Sequence, residues 1–156
     1  MQNDEKCVYL VRENITKNGL NFKNLKSIKN VNKYNIETIY GPESCIEEAK
    51  NNGSKDYRQT PAILSICKGA QIMLTQNLNT NIGLSNGSQG EIYDIVFDKD
   101  KKVQYILLQM NETYTGPSFI PDVPRIVVIK RYQIRGGKKS NYWCEQFPII
   151  LAYSFI

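Results

Sequence analysis

The chain of 156 residues offers few side chains for covalent chemistry, and it contains no histidine. Catalytic arrangements of the Ser-His-Asp and Cys-His kinds, and zinc sites with histidine ligands, are therefore excluded within it. Its four cysteines are scattered without a C-x-x-C pair, which argues against structural zinc. Two acidic pairs, Glu47-Glu48 and Asp98/Asp100, are predicted to be solvated. The side chains of the first pair point in different directions because adjacent residues on a helix do not face each other, and the second pair lies in a turn flanked by lysines.

The nearest match to a phosphate-binding loop is the Gly-Gly-Lys-Lys-Ser segment at 136–140. The Walker A pattern requires a glycine at position 132 and a serine or threonine at 139. The chain has Tyr132 and Lys139 there. We therefore interpret the segment as a basic hairpin tip, and the sequence supplies no complete active site.

Basic residues are concentrated toward the end of the chain. Of the net charge of +5, residues 121–156 contribute six Lys/Arg against two Asp/Glu. Aromatic residues interrupt this basic run, a composition that suits a phosphate backbone with stacked bases. A solvated strand-loop-strand surface remains the alternative interpretation. The predicted nucleic-acid-binding residues of this segment are Lys130, Arg131, Tyr132, Arg135, Lys138, Lys139 and Trp143.

The compartment can be predicted from apolar runs. The N-terminus has no apolar signal segment, and no run approaches the ~18 apolar residues needed to cross a bilayer. We expect an intracellular protein with reduced thiols and no membrane partner, placed in the nucleus or a mitochondrion if eukaryotic. A hydrophobic fraction of 41% is sufficient for a folded core.

The elements that must position these residues fall into two groups. The first group, within residues 1–60, alternates strand and helix, which indicates an α/β layer. Its members are a strand at 7–11, a helix at 13–28, a strand at 36–40 and a helix that begins at Pro42.

The second group begins at Pro61 and consists of short strands separated by turns. This spacing predicts a small SH3-like β-barrel. Residues 146–153 are apolar enough to be core, and their position at the end of the chain suggests a truncated piece. The predicted strands are 62–67, 70–75, 91–97, 102–110 and 126–130.

A long polar loop at 76–88 contains the Asn86-Gly87 dipeptide, a strong hairpin signal. Because binding residues concentrate on loops held by rigid scaffolds, we add Asn77, Asn86 and Ser88 to the candidate nucleic-acid contacts. The glycines predicted to serve structural turns are Gly69, Gly83, Gly87 and Gly90.

The segments 64–78 and 83–90 together resemble Pif/RecD-like superfamily-one DNA helicases. They look like the family's L-x-x-x-x-G-A-x-V-M-L-x-x-N-L block followed by G-L-x-N-G-[ST]-x-G. Residues 114–119, Cys144 and residues 146–153 resemble the stretch that leads to the family's Thr-Ile-His-Lys-Ser-Gln-Gly motif. The resemblance covers about residues 63–153.

The resemblance implies an incomplete RecA-like α/β segment with an inserted SH3-like barrel. Residues 1–60 would be part of the second RecA-like domain, residues 61–135 the barrel and residues 136–156 the return into the RecA-like domain. The family couples ATP hydrolysis, with Mg²⁺, to 5′-to-3′ movement on single-stranded DNA. It unwinds duplexes in genome maintenance, including telomere maintenance, repair and recombination.

The chain departs from the family by lacking Walker A, Walker B and the His-Lys-Ser-Gln-Gly motif. We therefore expect no bound cofactor and no ATPase activity in this chain alone, with single-stranded DNA and the remainder of the helicase as partners. The first hypothesis is a helicase fragment. Two others stay open: a stand-alone module that binds single-stranded nucleic acid, and a barrel that binds proteins.

Overall fold

The computed structural model describes residues 9–10, 32–51, 57, 60–136, 141–152 and 154–155, which are mostly β-sheet. The predicted helix at 13–28 lies outside them, as do Lys138 and Lys139. The strands are β1 (Tyr9–Leu10), β2 (Tyr34–Glu37), β3 (Ile39–Gly41), β4 (Ile63–Ile66), β5 (Gln71–Leu74), β6 (Gln89–Phe97), β7 (Val103–Met110), β8 (Ile126–Ile129), β9 (Tyr132–Arg135), β10 (Trp143–Gln146), β11 (Ile149–Leu151) and β12 (Ser154–Phe155).

Helices are few in the described part of the chain. The helix predicted at Pro42 is present as a 3-10 turn, Glu43–Cys45, that continues into α1 (Ile46–Asn51). A second 3-10 turn, Thr80–Ile82, lies inside the predicted polar loop. Acidic residues occupy the first turn of α1, where their negative charges interact favourably with the positive end of the helix dipole.

A five-stranded antiparallel sheet with the order β11-β5-β6-β7-β8 is the largest element of the fold. Within the described strands this sheet stays open, with β11 at one edge and β8 at the other. Closure of a barrel requires the edge strands to pair. The SH3-like barrel predicted from strand spacing is therefore not confirmed as a closed barrel.

The β6–β7 hairpin is the part of this sheet that the sequence predicts best. Its strands pair as expected across the Asp-Lys-Asp-Lys turn, with register shifts at Ile92/Asp94 and Val96/Phe97. The carboxylate of Asp98 accepts hydrogen bonds from the backbone N–H groups of Asp100 (2.8 Å) and Lys102 (3.0 Å). This side-chain bonding fixes the turn, as aspartate commonly does.

Three smaller sheets complete the described topology. One has the order β3-β10-β9, a second pairs β2 with β4, and a third pairs β1 with β12 in parallel. Strands from all three predicted segments pair with one another: β4 pairs with β2, and β11 pairs with β5. The boundaries proposed at 60/61 and 135/136 remain predictions.

Two hydrophobic clusters lie beneath these sheets. The larger one contains the inward side chains of β4 to β8 together with Phe147 and Ile149. The smaller one consists of Tyr57, Ile134 and Cys144, with Tyr40 packed against it. The smaller cluster supports one face of the β3-β10-β9 sheet, and the other face carries the candidate site.

Candidate nucleic-acid interface

The inner face of the β3-β10-β9 sheet is fixed by a row of directly opposed residues. Cys144 lies opposite Tyr40 on one side and Ile134 on the other. The row packs on Tyr57, whose hydroxyl donates a 2.7 Å hydrogen bond to the carbonyl of Ala49 in α1. Because side chains alternate along a strand, burial of this row directs its sequence neighbours to the outer face.

The outer face presents Arg135 and Trp143 side by side. Trp143 lies opposite Arg135 on β9 and opposite Gly41 on β3. The indole ring occupies the space that a Cβ atom at Gly41 would fill, so the ring can lie there only because residue 41 is a glycine. Trp143 is half-buried, whereas Arg135 is exposed. A guanidinium and an indole on one open face can contact a phosphate and stack on a base.

A second row on the same face makes it less uniformly basic. Glu145 lies opposite Gln133 on β9 and Ile39 on β3. Ile39 is 49% exposed, which is high for a large apolar side chain on a sheet. The face therefore combines one cation, one acid, an amide and two apolar groups, a mixture suited to bases as well as phosphates.

The structure separates Tyr132 and Arg131 from this face. Tyr132 is exposed but lies three residues from Arg135, so strand alternation places it on the opposite face. The guanidinium carbon of Arg131 lies 5.3 Å from the centre of the Phe147 ring. Its Nη1 atom is buried and has no hydrogen-bond partner among the described residues. Arg131 thus points into the protein, while Lys130 is exposed between β8 and β9.

The structure joins the loop candidates Asn77 and Asn86 through a hydrogen bond, and Ser88 bonds to other residues of the same loop. The Oδ1 atom of Asn77 accepts from the backbone N–H of Asn86 at 2.8 Å. The hydroxyl of Ser88 donates to the carbonyl of Gly83 at 2.9 Å, and it accepts from the N–H of Ser85 at 3.1 Å. These groups account for the loop's shape, and the exposed side chains of the two asparagines remain at its surface.

Three of the four predicted turn glycines occupy turns. Gly69, Gly83 and Gly87 have positive φ, and a Cβ atom at Gly83 would overlap the carbonyl oxygen of Thr113. Gly90 differs from the prediction, because it lies within β6 rather than in a turn. A glycine is needed at this position because β6 and β7 approach closely. A Cβ atom there would lie 2.7 Å from the carbonyl oxygen of Gln109.

Gly41 is a residue of the site that sequence reasoning did not identify. Its role depends on the pairing of β3 with β10, about a hundred residues further along the chain. Local patterns do not encode such long-range register. The Gly-Pro step at 41–42 indicated only the start of a helix.

The described part of the Gly-Gly-Lys-Lys-Ser segment does not fit a phosphate cradle. The N–H of Gly136 donates to the carbonyl of Tyr142 at 3.1 Å, and the residue packs against the ring of Tyr57. A phosphate loop needs backbone N–H groups that are free to meet the ligand. Among the described residues, no group of three His, Cys, Asp or Glu side chains is placed to hold a metal ion.

The buried thiols are held in the protonated form. Burial raises the pKa of Cys144 to about 11, although the Thr60 hydroxyl acts in the opposite direction. Burial also raises the pKa of Cys67. Since the thiolate is the nucleophilic form, neither thiol is prepared for nucleophilic chemistry at neutral pH.

The pKa of Cys144 predicts a pH-dependent stability. Because the folded pKa lies above the ordinary value of 9.0, folding favours the protonated thiol. Its contribution is complete below about pH 9 and is lost as the pH rises toward about 11. Urea unfolding between about pH 8 and pH 10.5 should therefore show a steeper loss of stability for the wild type than for Cys144→Ala. Equal slopes for the two proteins would contradict this prediction.

Comparison with known proteins finds one family model and several solved structures that are similar to this chain. The family model for the 2B domain of DNA helicase Pif1 matches residues 60–95. The Pif1 helicase from Candida albicans is 21% identical, with a TM-score of 0.70 over 99% of this chain and 37% of that chain. Unliganded Pif1 from Bacteroides sp is 17% identical, with a TM-score of 0.62 over 99% of this chain and 42% of that chain.

A third solved structure, Bacteroides Pif1 bound to single-stranded DNA, is 17% identical, with a TM-score of 0.59 over 99% of this chain and 32% of that chain. No curated protein sequence gives a significant match. The chain thus spans less than half the length of these helicases, and its mostly β-sheet fold is similar to part of them. The resemblance to Pif-like helicases noted in the sequence is confirmed.

No helix among the described residues combines the length and the apolar character that a transmembrane helix requires.

Proposed function

We propose that this chain is part of an ATP-dependent DNA helicase of the Pif1 kind and that it carries part of the surface that contacts DNA. The observation that carries the proposal is the match of residues 60–95 to the Pif1 2B domain, within a fold that aligns over almost the entire chain. We propose the division into domains that the sequence predicts. Residues 61–135 form an SH3-like insertion, and the flanking residues belong to the second RecA-like domain.

The proposed ligand is single-stranded DNA, which is bound in two of the similar Bacteroides Pif1 structures. On this chain we place the contact on the outer face of the β3-β10-β9 sheet. Trp143 would stack on a base, and Arg135 would pair with a phosphate beside it. Their opposed positions on adjacent strands support a shared contact.

In this proposal the chain supplies no nucleotide site. ATP and Mg²⁺ would be bound by the rest of the helicase, because Gly136, the described residue of the segment nearest to a phosphate loop, donates its N–H to Tyr142 and packs on Tyr57. The isolated chain would then show no ATP turnover above background. The complete enzyme would move 5′ to 3′ and act inside the cell in telomere maintenance, repair or recombination.

Fluorescence anisotropy with labelled single-stranded DNA across a salt series tests the proposed contact. Trp143→Ala should weaken binding by about 1–3 kcal/mol, the usual contribution of one stacked base. Arg135→Gln should reduce the slope of log K against log salt by about 0.7, the value for one phosphate contact on a single strand. Lys50→Ala, an exposed lysine on α1, is the matched control and should leave both quantities unchanged.

Trp143→Ala also removes the ring that covers Gly41, so its thermal melt must accompany the binding data. Arg135 is exposed, and its replacement leaves the packing of the sheet intact. An Arg135→Gln variant with the wild-type salt slope would remove this face from the proposed DNA contact. A wild-type chain that does not bind at low salt would overturn DNA binding by the isolated chain.

A further inference from the structure

Arg131 lies where the chain crosses from the five-stranded sheet to the β3-β10-β9 sheet. It comes after the end of β8 and directly before β9, whose first residue, Tyr132, lies opposite Gln146. On the other side of the crossing, Ile129 at the end of β8 lies opposite Ile106. Because both neighbouring strands are paired, the backbone that carries Arg131 is held in place from both sides.

The side chain of Arg131 packs on a fixed aromatic ring. Its guanidinium carbon lies 5.3 Å from the centre of the Phe147 ring, within the range of a cation–π interaction. The ring is 1% exposed, and the N–H of Phe147 donates a 3.0 Å hydrogen bond to the amide oxygen of Gln146. The ring is therefore held in the core, and its position determines where the guanidinium lies.

The Phe147 ring stabilises the charge of the guanidinium but supplies no oxygen to accept its hydrogen bonds. A guanidinium carries five N–H donors in one plane. The Nη1 atom of Arg131 is buried, and no residue in the described part of the chain accepts a hydrogen bond from it. A buried donor in this state costs free energy, and a charged one costs more. The position of Arg131 therefore favours an acceptor that comes from outside the described residues.

The charges near Arg131 favour an anionic acceptor. Within the described ranges, no carboxylate forms an ion pair with Arg131, and the carboxylate of Asp94 pairs with Lys68 instead, at 2.9 Å. Lys130, the preceding residue, is exposed and adds a second positive charge. Arg131 itself is only half-buried, so the site lies within reach of a partner at the protein surface. A group of opposite charge would be attracted to this position.

The surroundings of Arg131 favour a protein carboxylate over a nucleic-acid phosphate. Arg131 points into the protein beside a buried ring, away from the sheet face that carries Arg135 and Trp143. A carboxylate on a flexible side chain can enter such a recess, whereas a backbone phosphate carries its sugar and base with it. A carboxylate can also lie in the plane of the guanidinium and accept two parallel hydrogen bonds.

We propose that Arg131 is a docking point for an acidic side chain, Asp or Glu, from the remainder of the helicase. The carboxylate accepts hydrogen bonds from the edge of the guanidinium, while Phe147 supports its face. The similar Pif1 structures extend far beyond the aligned region, so more than half of such an enzyme is available to supply the acid. This inference rests on the proposed function in requiring a larger enzyme, but it requires no contact with DNA.

Urea unfolding tests whether the guanidinium is unsatisfied in the isolated chain. Arg131→Met keeps an apolar side chain on the Phe147 ring and removes the buried charge, so its unfolding midpoint should equal or exceed that of the wild type. Lys50→Met, the matched control, removes a cation from an exposed position on α1 and should leave the midpoint unchanged. A midpoint for Arg131→Met below those of both other proteins would show that the guanidinium is already satisfied within the chain and would overturn the proposal.

A labelled hexaglutamate peptide is the carboxylate probe for fluorescence anisotropy. Arg131→Met should weaken its binding about tenfold, as expected for a lost charge-assisted hydrogen bond. Lys50→Met lowers the net charge equally and should weaken binding by less than about twofold. Arg131→Lys keeps the charge without the planar donors, and its affinity should lie between those of the two methionine variants. Equal affinities for Arg131→Met and Lys50→Met would contradict the site.

The two ligands distinguish this proposal from a phosphate site and from the proposed DNA contact. If Arg131→Met loses affinity for hexaglutamate and for single-stranded DNA by the same factor, Arg131 is a general anion contact and the carboxylate site is wrong. If the wild type binds hexaglutamate through Arg131 and binds no single-stranded DNA, the DNA contact fails and the Arg131 site stands. If the wild type binds no hexaglutamate at low salt, the Arg131 site is overturned whatever the result with DNA.

Discussion

Replacing Phe147 by alanine should lower the free energy of unfolding by about 3–5 kcal/mol, the usual cost of removing a buried phenylalanine ring. Phe147 is 1% exposed and belongs to the larger hydrophobic cluster. The change would leave a cavity and would also remove the ring beneath the Arg131 guanidinium, 5.3 Å away. Urea unfolding followed by circular dichroism measures the loss.

The size of this effect follows from the position of Phe147 between two sheets. It comes directly after β10, and its carbonyl accepts a 2.8 Å hydrogen bond from the N–H of Ile149 at the start of β11. The carbonyl of Pro148 accepts from Thr75, which follows β5. The ring thus supports the crossing of the chain from the β3-β10-β9 sheet to the five-stranded sheet, so a cavity there affects both.

Two further variants make the Phe147 prediction specific. Phe147→Leu keeps much of the apolar volume and should cost clearly less than the alanine variant. Phe119→Ala removes the same ring from a residue that is 67% exposed, and it should change stability by no more than about 0.5 kcal/mol. A loss below about 1 kcal/mol for Phe147→Ala would show that the site collapses without strain and would contradict the argument.

Local elements could be predicted from the sequence because their causes are local. The alternation of residues 91–97 and 102–110 and the aspartate-containing turn between them predicted the β6–β7 hairpin, which is present. The proline and early acids at 42–48 predicted a helix, also present. In each case, the residues that determine the structure are neighbours along the chain.

Long-range pairing could not be predicted in the same way. β10 pairs with β9, which is close in sequence, and with β3, which is distant. Nothing in residues 39–41 specifies that partner. The prediction of a closed barrel is not confirmed, and the reason is again long-range pairing. The number and spacing of strands do not determine whether the edge strands β8 and β11 pair.

The candidate site was predicted in part. Composition selected Arg135 and Trp143, which the structure places on one open face. Composition selected Arg131 and Tyr132 equally, although strand alternation and the ring of Phe147 direct them elsewhere. To decide which of these side chains share a face, the bounds of β9 would have been needed, because a shift of one residue exchanges the two faces of a strand.

Replacing Gln146 should destabilise the chain through unmade hydrogen bonds rather than through lost volume. Gln146 is 0% exposed, and its amide nitrogen donates to the carbonyl of Ile36 at 2.9 Å and to the hydroxyl of Thr38 at 3.1 Å. Its amide oxygen accepts from the N–H of Phe147 at 3.0 Å. Each buried group left unsatisfied costs about 1–3 kcal/mol, so Gln146→Met should lose about 2–4 kcal/mol.

The comparison with Gln146→Ala separates the two causes. Methionine keeps nearly the length of glutamine but forms none of its hydrogen bonds. If hydrogen bonding dominates, the methionine and alanine variants lose similar amounts in urea unfolding. A methionine variant close to wild type would mean that packing holds β10 against β2, and the hydrogen bonds of Gln146 would then contribute little. The Thr38→Val variant removes two hydrogen bonds, the one that Thr38 accepts from Gln146 and the one that its hydroxyl donates to the carbonyl of Pro61. It should lose less than Gln146→Met, because Gln146 still donates to the carbonyl of Ile36 and still accepts from the N–H of Phe147.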